Sequence, residues 1–554
     1  MDKRWFLALF LTLGVIALTQ ILFPPPKRPT VAVAPAATPA AAAGQMAAIT
    51  ADSSHREIAT RPGPLAASFA LHEERTTIDA DVDSAKVTYT FSNVGAAPVS
   101  IVMRGFANRS PSGGLVDLAV PNSRLLSYRI VLPHDTIPLD SVVFDQKLAH
   151  SPDGSSLLTY SASVRGNAVS IAYTFGKRGY AFHVAGAVNS TTGAAGPAFL
   201  LISLPTTLRS AEADTTTDQR NLAYVFKRAN DRPGSVLFGK LDPGESRLET
   251  GPLNWVAVKN KYFVLGMLAD RSPFSEVSFT GGPRTSKIAT HASAIVVQSV
   301  QQGVFSYDVY AGPQETRRLA AMGNDFDHVN PYGWKFLQPV VHPVAALIIR
   351  LLLWMHNVLQ LSYGWVLVIL GIAVRLILWP LNQSTMRSTL KMQVVQPKIA
   401  AAQKRYKDDK KKQQEAIMRV YQEEGISPMA PLAGCLPALL PMPVFFALFF
   451  VFQNTIEFRG VPFLWLHDLS SKDPLYIIPL LMGCSMYLLS WIGMRNSPPN
   501  PQTKMMGYLF PVMMTVVLVN MASGLNLYYT AQNLAALPQQ WLIARERLRA
   551  QPPA

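Results

Sequence analysis

Apolar positions along the chain follow two patterns, and the division between them sets the architecture. From about 55 to 325, short β-branched and aromatic runs alternate with polar residues, as in Lys86-Val87-Thr88-Tyr89-Thr90-Phe91, Ala172-Tyr173-Thr174-Phe175, Tyr262-Phe263-Val264-Leu265 and Val304-Phe305-Ser306-Tyr307. Turn formers such as Asn93-Val94-Gly95 and Pro152-Asp153-Gly154 punctuate them. A period of two broken by turns marks half-buried strands, so 55–325 is predicted to be an all-β sandwich. The other pattern is the unbroken apolar run: 5–23, then 335–361, 364–381, 432–452, 475–494 and 505–541.

The first run, Trp5 to Phe23, is nineteen uncharged residues after Asp2-Lys3-Arg4. At about 1.5 Å per residue it covers the hydrocarbon core, and it exceeds the roughly 7–15 apolar residues of a cleaved signal. Residues 1–23 therefore read as an anchor with a cytoplasmic N-terminus, although Ala32-Val33-Ala34 keeps cleavage open as an alternative. Residues 24–54, rich in Pro and Ala, read as a linker.

The segment 383–431 fixes the remaining topology. It carries Arg387, Lys391, Lys398, Lys404, Arg405, Lys407, Lys410, Lys411, Lys412 and Arg419, and the positive-inside rule puts such a segment in the cytoplasm. The runs 335–361 and 364–381 then cannot both cross. The first, bearing His342, Arg350 and His356, is predicted to lie in the outer interface as an amphipathic helix, while 364–381 crosses inward. Ser523-Gly524 divides the last run into 505–522 and 524–541, giving six spans with 432–452 and 475–494 and a short cytoplasmic tail at 542–554. The fold class is a multi-pass α-helical membrane protein with a β-sandwich outside the membrane.

Composition agrees, with 49% hydrophobic and 15% charged residues, well below the roughly 25% charged of soluble proteins. The net charge of +15 gathers beside apolar spans, which favours an anionic lipid surface as its partner. Two cysteines, Cys435 and Cys484, both in apolar runs, offer neither a disulfide framework nor a Cys-based metal site. Walker A, GxGxxG, HExxH and GxSxG signatures are absent, and the ten histidines lack ligand spacing, so no enzyme, cofactor or metal is expected.

Within the five later spans the only charged residue is Arg375. An arginine inside a span costs at least about 2.5–3.5 kcal/mol, which by default marks a wet cavity. The competing reading is snorkelling, because Arg375 lies six residues from Leu381 at the cytoplasmic end. In the last span Asn526, Tyr529 or Thr530, and Asn533 recur on one helical face, which suits either a hydrated groove or interhelical hydrogen bonds. Pro437, Pro441 and Pro443 kink 432–452, shaping either packing or a cavity. The basic segment reads as a helical hairpin with a turn at Asp408-Asp409 and a stop at Gly425 and Pro428. Its Lys404, Arg405, Lys407, Lys410, Lys411 and Lys412 form a solvated face or dock to anionic lipid or RNA.

These residues also carry a family resemblance. Asn330-Pro331-Tyr332-Gly333-Trp334, Val374-Arg375 with Trp379-Pro380-Leu381, Gln396-Pro397-Lys398-Ile399, Met442-Pro443-Val444-Phe445, Trp465-Leu466-His467-Asp468-Leu469, and Ser523-Gly524-Leu525 before Leu527-Tyr528-Tyr529 occur in order. The C-terminal part thereby resembles the YidC family of membrane protein insertases. More weakly, Asn254-Trp255-Val256-Ala257, Tyr262-Phe263 and Tyr310-Ala311-Gly312-Pro313 are similar to its Gram-negative form with a large periplasmic domain. The resemblance implies a five-helix core around a positively charged groove, with Arg375 as the groove arginine and Tyr529 facing it. It implies nascent membrane proteins, the ribosome and the Sec translocon as partners, a bacterial inner-membrane location, a periplasmic β domain, both termini in the cytoplasm, and no small-molecule substrate. Gly371 and Pro441 stand where the family often has a hydroxyl residue and a glutamine. Two other classes compete: an anion transporter, disfavoured because the spans hold no carboxylate, and an anchored periplasmic carbohydrate-binding protein.

Overall fold

The computed structural model describes residues 73–83, 85–190, 197–284, 289–330, 337–380, 395, 398–399, 401–406, 409–423, 442–495 and 501–550. The predicted anchor, the linker, the start of the β region to 72, all of 381–394, Lys407, Asp408, and 424–441 with Gly425, Pro428, Pro437 and Pro441 lie outside them.

The β region is a sandwich. A four-stranded antiparallel sheet spans Arg75–Val82, Ala85–Ser92, Ala97–Ala107 and Leu115–Asp117. It packs on a fourteen-stranded sheet running from Ser127–Val131 to Val304–Pro313. Alternation produces this directly: in Asn167–Phe175 every second side chain is buried. That strand pairs with Ser156–Val164 across a two-residue turn, where Arg165 (φ 49°) and Gly166 (φ 76°) both take positive φ, matching the twist of a hairpin. The layers join through rings, with Phe91 4.5 Å from Tyr173 and Tyr89 5.1 Å from Phe175 between centroids. Three tyrosine hydroxyls of this core are bonded in series. Tyr307 donates to the Tyr128 hydroxyl at 3.0 Å, Tyr128 and Tyr173 share a bond of 2.9 Å, and Tyr173 donates to the Ala96 carbonyl at 2.5 Å.

The β region ends in a polar knot. Gln314 donates to the carbonyls of Asn260 (3.0 Å) and Phe263 (2.9 Å), and Trp255 Nε1 donates to the Asn324 carbonyl at 2.9 Å. Buried Lys259 donates to Asn330 Oδ1, and burial pulls its ammonium down to about 8. Two short helices belong to this region, α1 (Thr215–Arg220) and α2 (Thr316–Ala321).

Six apolar or mostly apolar helices follow or flank the basic segment. They are α3 (Gln338–Leu359), α4 (Tyr363–Ile377), α6 (Met442–Asn454), α7 (Ile477–Arg495), α8 (Pro501–Leu518) and α9 (Ser523–Ala550), while α5 (Lys410–Glu423) lies in the basic segment. Helix α9 passes Pro538 and continues through the residues predicted as a tail. By length and composition α3 and Ile477–Met494 are able to cross a membrane, and α4, α6 and α8 are shorter. Helix α3 has three faces. Val341, Ala345, Ile348, Leu352 and Met355 are buried, Val340, Leu347 and Trp354 are exposed and apolar, and Arg350 with Asn357 is exposed and polar.

The loop between α6 and α7 bonds to the β region. Arg459 Nε donates to Glu212 Oε1 at 2.6 Å, with only 4% and 10% of the two side chains exposed. Its Nη2 donates to the carbonyls of Ala107 (2.8 Å) and Ala211 (3.0 Å), and its guanidinium lies over Phe263. Arg109 pairs with Asp468 in the same loop. The loop in turn seats α9, whose Ser523 and Gly524 amides donate to Ser471 O (2.7 Å) and Leu469 O (2.9 Å).

Burial pushes the Glu212 carboxyl up and Arg459 pulls it back, so removing only the arginine strands a buried acid. Arg459→Ala is expected to cost about 3–5 kcal/mol. The double variant Arg459→Met with Glu212→Leu should recover most of that loss, as read by thermal unfolding in detergent; equal losses from single and double variants would show that the pair is not coupled.

Candidate functional site

The sequence singles out Arg375 on α4 and a polar face on the last span, α9, and these two helices pack against each other. The contact is close because Gly371 lacks a side chain: a Cβ there would lie 2.9 Å from the Tyr528 carbonyl oxygen and 3.2 Å from Ala531 Cβ. Small residues permit such approach between apolar helices. The position that often carries a hydroxyl in the resembled family is here occupied by the neighbouring backbone.

One turn beyond Gly371, Arg375 is partly buried, and its Nε is buried with no hydrogen-bond partner. Among the described residues no carboxylate pairs with it. Three polar atoms of α9, the Tyr528 hydroxyl, Asn526 Oδ1 and Gln539 Oε1, are also buried without partners. Gln539, which the sequence reading missed, donates through Nε2 to the Trp379 carbonyl at 3.2 Å, one turn past Arg375. Its signal was available, since it lies on the same helix as the predicted polar face.

The four predicted residues of that face divide. Fully buried Asn526 donates to the Leu518 carbonyl of α8 at 3.0 Å, and Thr530 Oγ1 donates to the Asn526 carbonyl at 2.7 Å. Asn533 donates to Ser485 Oγ on α7 at 3.0 Å. The bonds of Asn526 and Asn533 join helices and are worth about 0.6 kcal/mol each on average, while that of Thr530 stays within α9. Tyr529 is less buried and sits against Phe445 of α6, ring centroids 5.5 Å apart, and against Tyr528 at 5.2 Å. Asn526 and Asn533 thus tie α9 to α8 and α7, Thr530 bonds within α9, and Tyr529 faces α6.

Of the basic hairpin, residues 401–405 and α5 are helical. Asp409 caps α5, its Oδ1 accepting from the Lys411 and Lys412 amides at 3.1 Å each. Lys404, Arg405, Lys411 and Lys412 are exposed; Lys410 begins α5.

Two family models match successive stretches: the YidC periplasmic domain over residues 79–343 and the 60Kd inner membrane protein over residues 354–550. The chain belongs to the YidC family. A relative in Chlorobaculum tepidum, described as the membrane protein insertase YidC, is 33% identical over 331 residues, which is 55% of this chain and 54% of that protein. The match thus spans about half the length of that relative. Among solved structures, an active YidC insertase with its first transmembrane domain resolved aligns at 19% identity and a TM-score of 0.34, over 85% of this chain and 95% of that one. A galactose mutarotase-like protein from Lactobacillus casei aligns at 9% identity and a TM-score of 0.30, over 43% and 100%. Among the described residues no group of His, Cys, Asp and Glu is arranged to hold a metal.

A carboxyl in the turn after α6 is also buried. Glu457, in the turn Ile456–Phe458 after α6, has a buried Oε2 without a partner, and burial pushes its carboxyl from the ordinary 4.5 up to about 7. The folded chain therefore holds a proton that the unfolded chain has released, and the stability this contributes is full below pH 4.5 and lost as pH rises through about 7. Glu457→Gln should raise the melting temperature at pH 8 and leave it nearly unchanged at pH 5; an equal shift at both would assign the effect to packing. At the helix contact, Gly371→Ser should cost about 1–3 kcal/mol by overpacking, seen as a lower melting temperature in detergent, and no loss would mean the two helices separate freely.

Proposed function

We propose that the protein is a membrane protein insertase and chaperone of the bacterial inner membrane, acting alone or with the Sec translocon. The observation that carries this reading is Arg375, a cation whose Nε is buried and unpartnered within an otherwise uncharged set of apolar helices of a YidC-family chain. In lipid such a group is tolerable only if water or a client meets its donors. The groove holds Arg375 and Tyr529, with Asn526, Thr530 and Asn533 setting its wall.

In this topology six helices span the membrane, both termini are cytoplasmic, the β domain is periplasmic, and α3 lies in the outer interface. The exposed polar and apolar faces of α3 support that last point, since each suits a different side of an interface. Nascent membrane proteins, delivered by ribosomes, meet the basic hairpin through Lys404, Arg405, Lys407, Lys410, Lys411 and Lys412, which also faces anionic lipid heads. A short hydrophilic segment of the client then passes by the groove, where Arg375 attracts its carboxylates and Tyr529 offers an exchangeable hydrogen bond. The client's apolar helix leaves sideways into lipid, and its burial drives the step. No bond is made or broken, so no catalytic residue or cofactor is needed.

Insertion is measured by protease protection of a client's translocated tail in cells depleted of the native protein. Arg375→Lys should retain most activity, Arg375→Ala should lose about tenfold for clients with acidic tails, the effect of about 1.4 kcal/mol, and Arg375→Glu should lose more. Clients with neutral tails should be nearly unaffected. Equal insertion by all variants for both client types contradicts the charged groove and leaves snorkelling as the account of Arg375. For the hairpin, replacing Lys410, Lys411 and Lys412 by Glu should weaken co-sedimentation with ribosomes, most at low salt; unchanged binding removes the role of charge.

A further inference from the structure

A cavity of about 270 Å³ opens where the β region meets the first turns of α3, lined by Lys227, Arg232, Asp325, His328, His342 and Pro343, among others. Its charge is lopsided. Lys227 Nζ lies 2.9 Å from Asp325 Oδ2 and donates to the Asp231 carbonyl at 2.7 Å, so the one lining carboxylate is already engaged. Arg232 is exposed, and among the described residues no carboxylate pairs with it. Across the cavity the rings of His328 and His342 stack, centroids 4.7 Å apart and 19° from parallel. Asp327, 3.4 Å from His328, favours that ring's protonated form, a pair without net charge, which leaves Arg232 as the wall's cation with no carboxylate among the described residues against it. The cavity is therefore an anion site in charge and, at the small end of ligand pockets, in size.

A second, independent feature says what kind of anion. At the rim begins the exposed apolar face of α3, with Val340 52%, Leu347 66% and Trp354 58% exposed at intervals of two turns. A ligand carrying phosphate at one end and hydrocarbon at the other would satisfy both surfaces at once. We propose that this cavity binds the phosphate of an anionic phospholipid headgroup, with Arg232 and Lys227 as its cations, while the acyl chains lie along the Val340–Leu347–Trp354 face. The bound lipid would hold α3 to the β region at a fixed height in the outer interface. The proposal concerns lipid binding alone, so it stands or falls separately from insertion.

The test uses the full chain in neutral detergent and a fluorescent short-chain phosphatidylglycerol, with phosphatidylcholine, glycerol phosphate and inorganic phosphate as competitors. Arg232→Glu should weaken phosphatidylglycerol binding roughly tenfold, the worth of a charge-assisted hydrogen bond, and Arg232→Lys should restore most of it. Leu347→Asp should weaken the lipid while leaving displacement by glycerol phosphate unchanged. Arg232 and Leu347 are both exposed, so neither substitution disturbs the core. Unaltered affinity in Arg232→Glu overturns the proposal. So does displacement by inorganic phosphate as potent as by phosphatidylglycerol, which would identify a free anion as the ligand, or equal binding of phosphatidylcholine, which would remove the role of net charge.

Discussion

A polar group inside a set of apolar helices must find a partner or bring water with it, and that requirement organises the membrane part of the structure. Asn526, Thr530, Asn533 and Gln539 each find at least one partner, on the helix itself or on a neighbour. Gly371 makes the α4–α9 approach close enough for backbone to pack on backbone. Arg375 Nε is left over, and on α9 Asn526 Oδ1, the Tyr528 hydroxyl and Gln539 Oε1 are likewise buried with no bond. An unmet buried donor or acceptor costs about 1–3 kcal/mol, more for a charged group. Such unmet atoms on two helices that pack together are consistent with exchangeable partners rather than fixed ones.

The same rule, applied outside the membrane, fastens the β region to the helices. Buried Arg459 is satisfied by Glu212 and two carbonyls from the β region, and the loop that carries it supplies the acceptors for the first amides of α9. Lys259, Asn330 and Gln314 make a comparable knot where the β region leads toward α3. The helix carrying Tyr529 is thus seated at its first turn by a loop that is itself bonded to the sandwich.

Periodicity exposed much of this. The runs at 86–91, 172–175 and 304–307 fall in strands, because alternation records which face is buried, and the runs at 475–494 and 505–541 fall in α7, α8 and α9. Boundaries were less legible. Pro538 was compatible with an early end, yet α9 runs to Ala550, since a proline costs one backbone bond and the remaining turns still propagate. Arg375 was conspicuous as the only charge in its setting. Partners were not: Arg459 and Glu212 are 247 positions apart, and no local pattern pairs residues at that distance. The polar face of the last span was found, but its division between helix-binding Asn526 and Asn533 and less buried Tyr529 depends on neighbours that a single helix's spacing does not reveal.

Water around Arg375 is the central claim, and thiol accessibility measures it most directly. With Cys435 and Cys484 replaced by serine, a cysteine at Tyr529 would be challenged with a charged, membrane-impermeant thiol reagent from each side of sealed vesicles. A groove open to the cytoplasm and closed to the outside predicts modification from the cytoplasmic side alone, and slower modification in Arg375→Ala. No reaction from either side would mean that the α4–α9 contact is dry and would contradict the account.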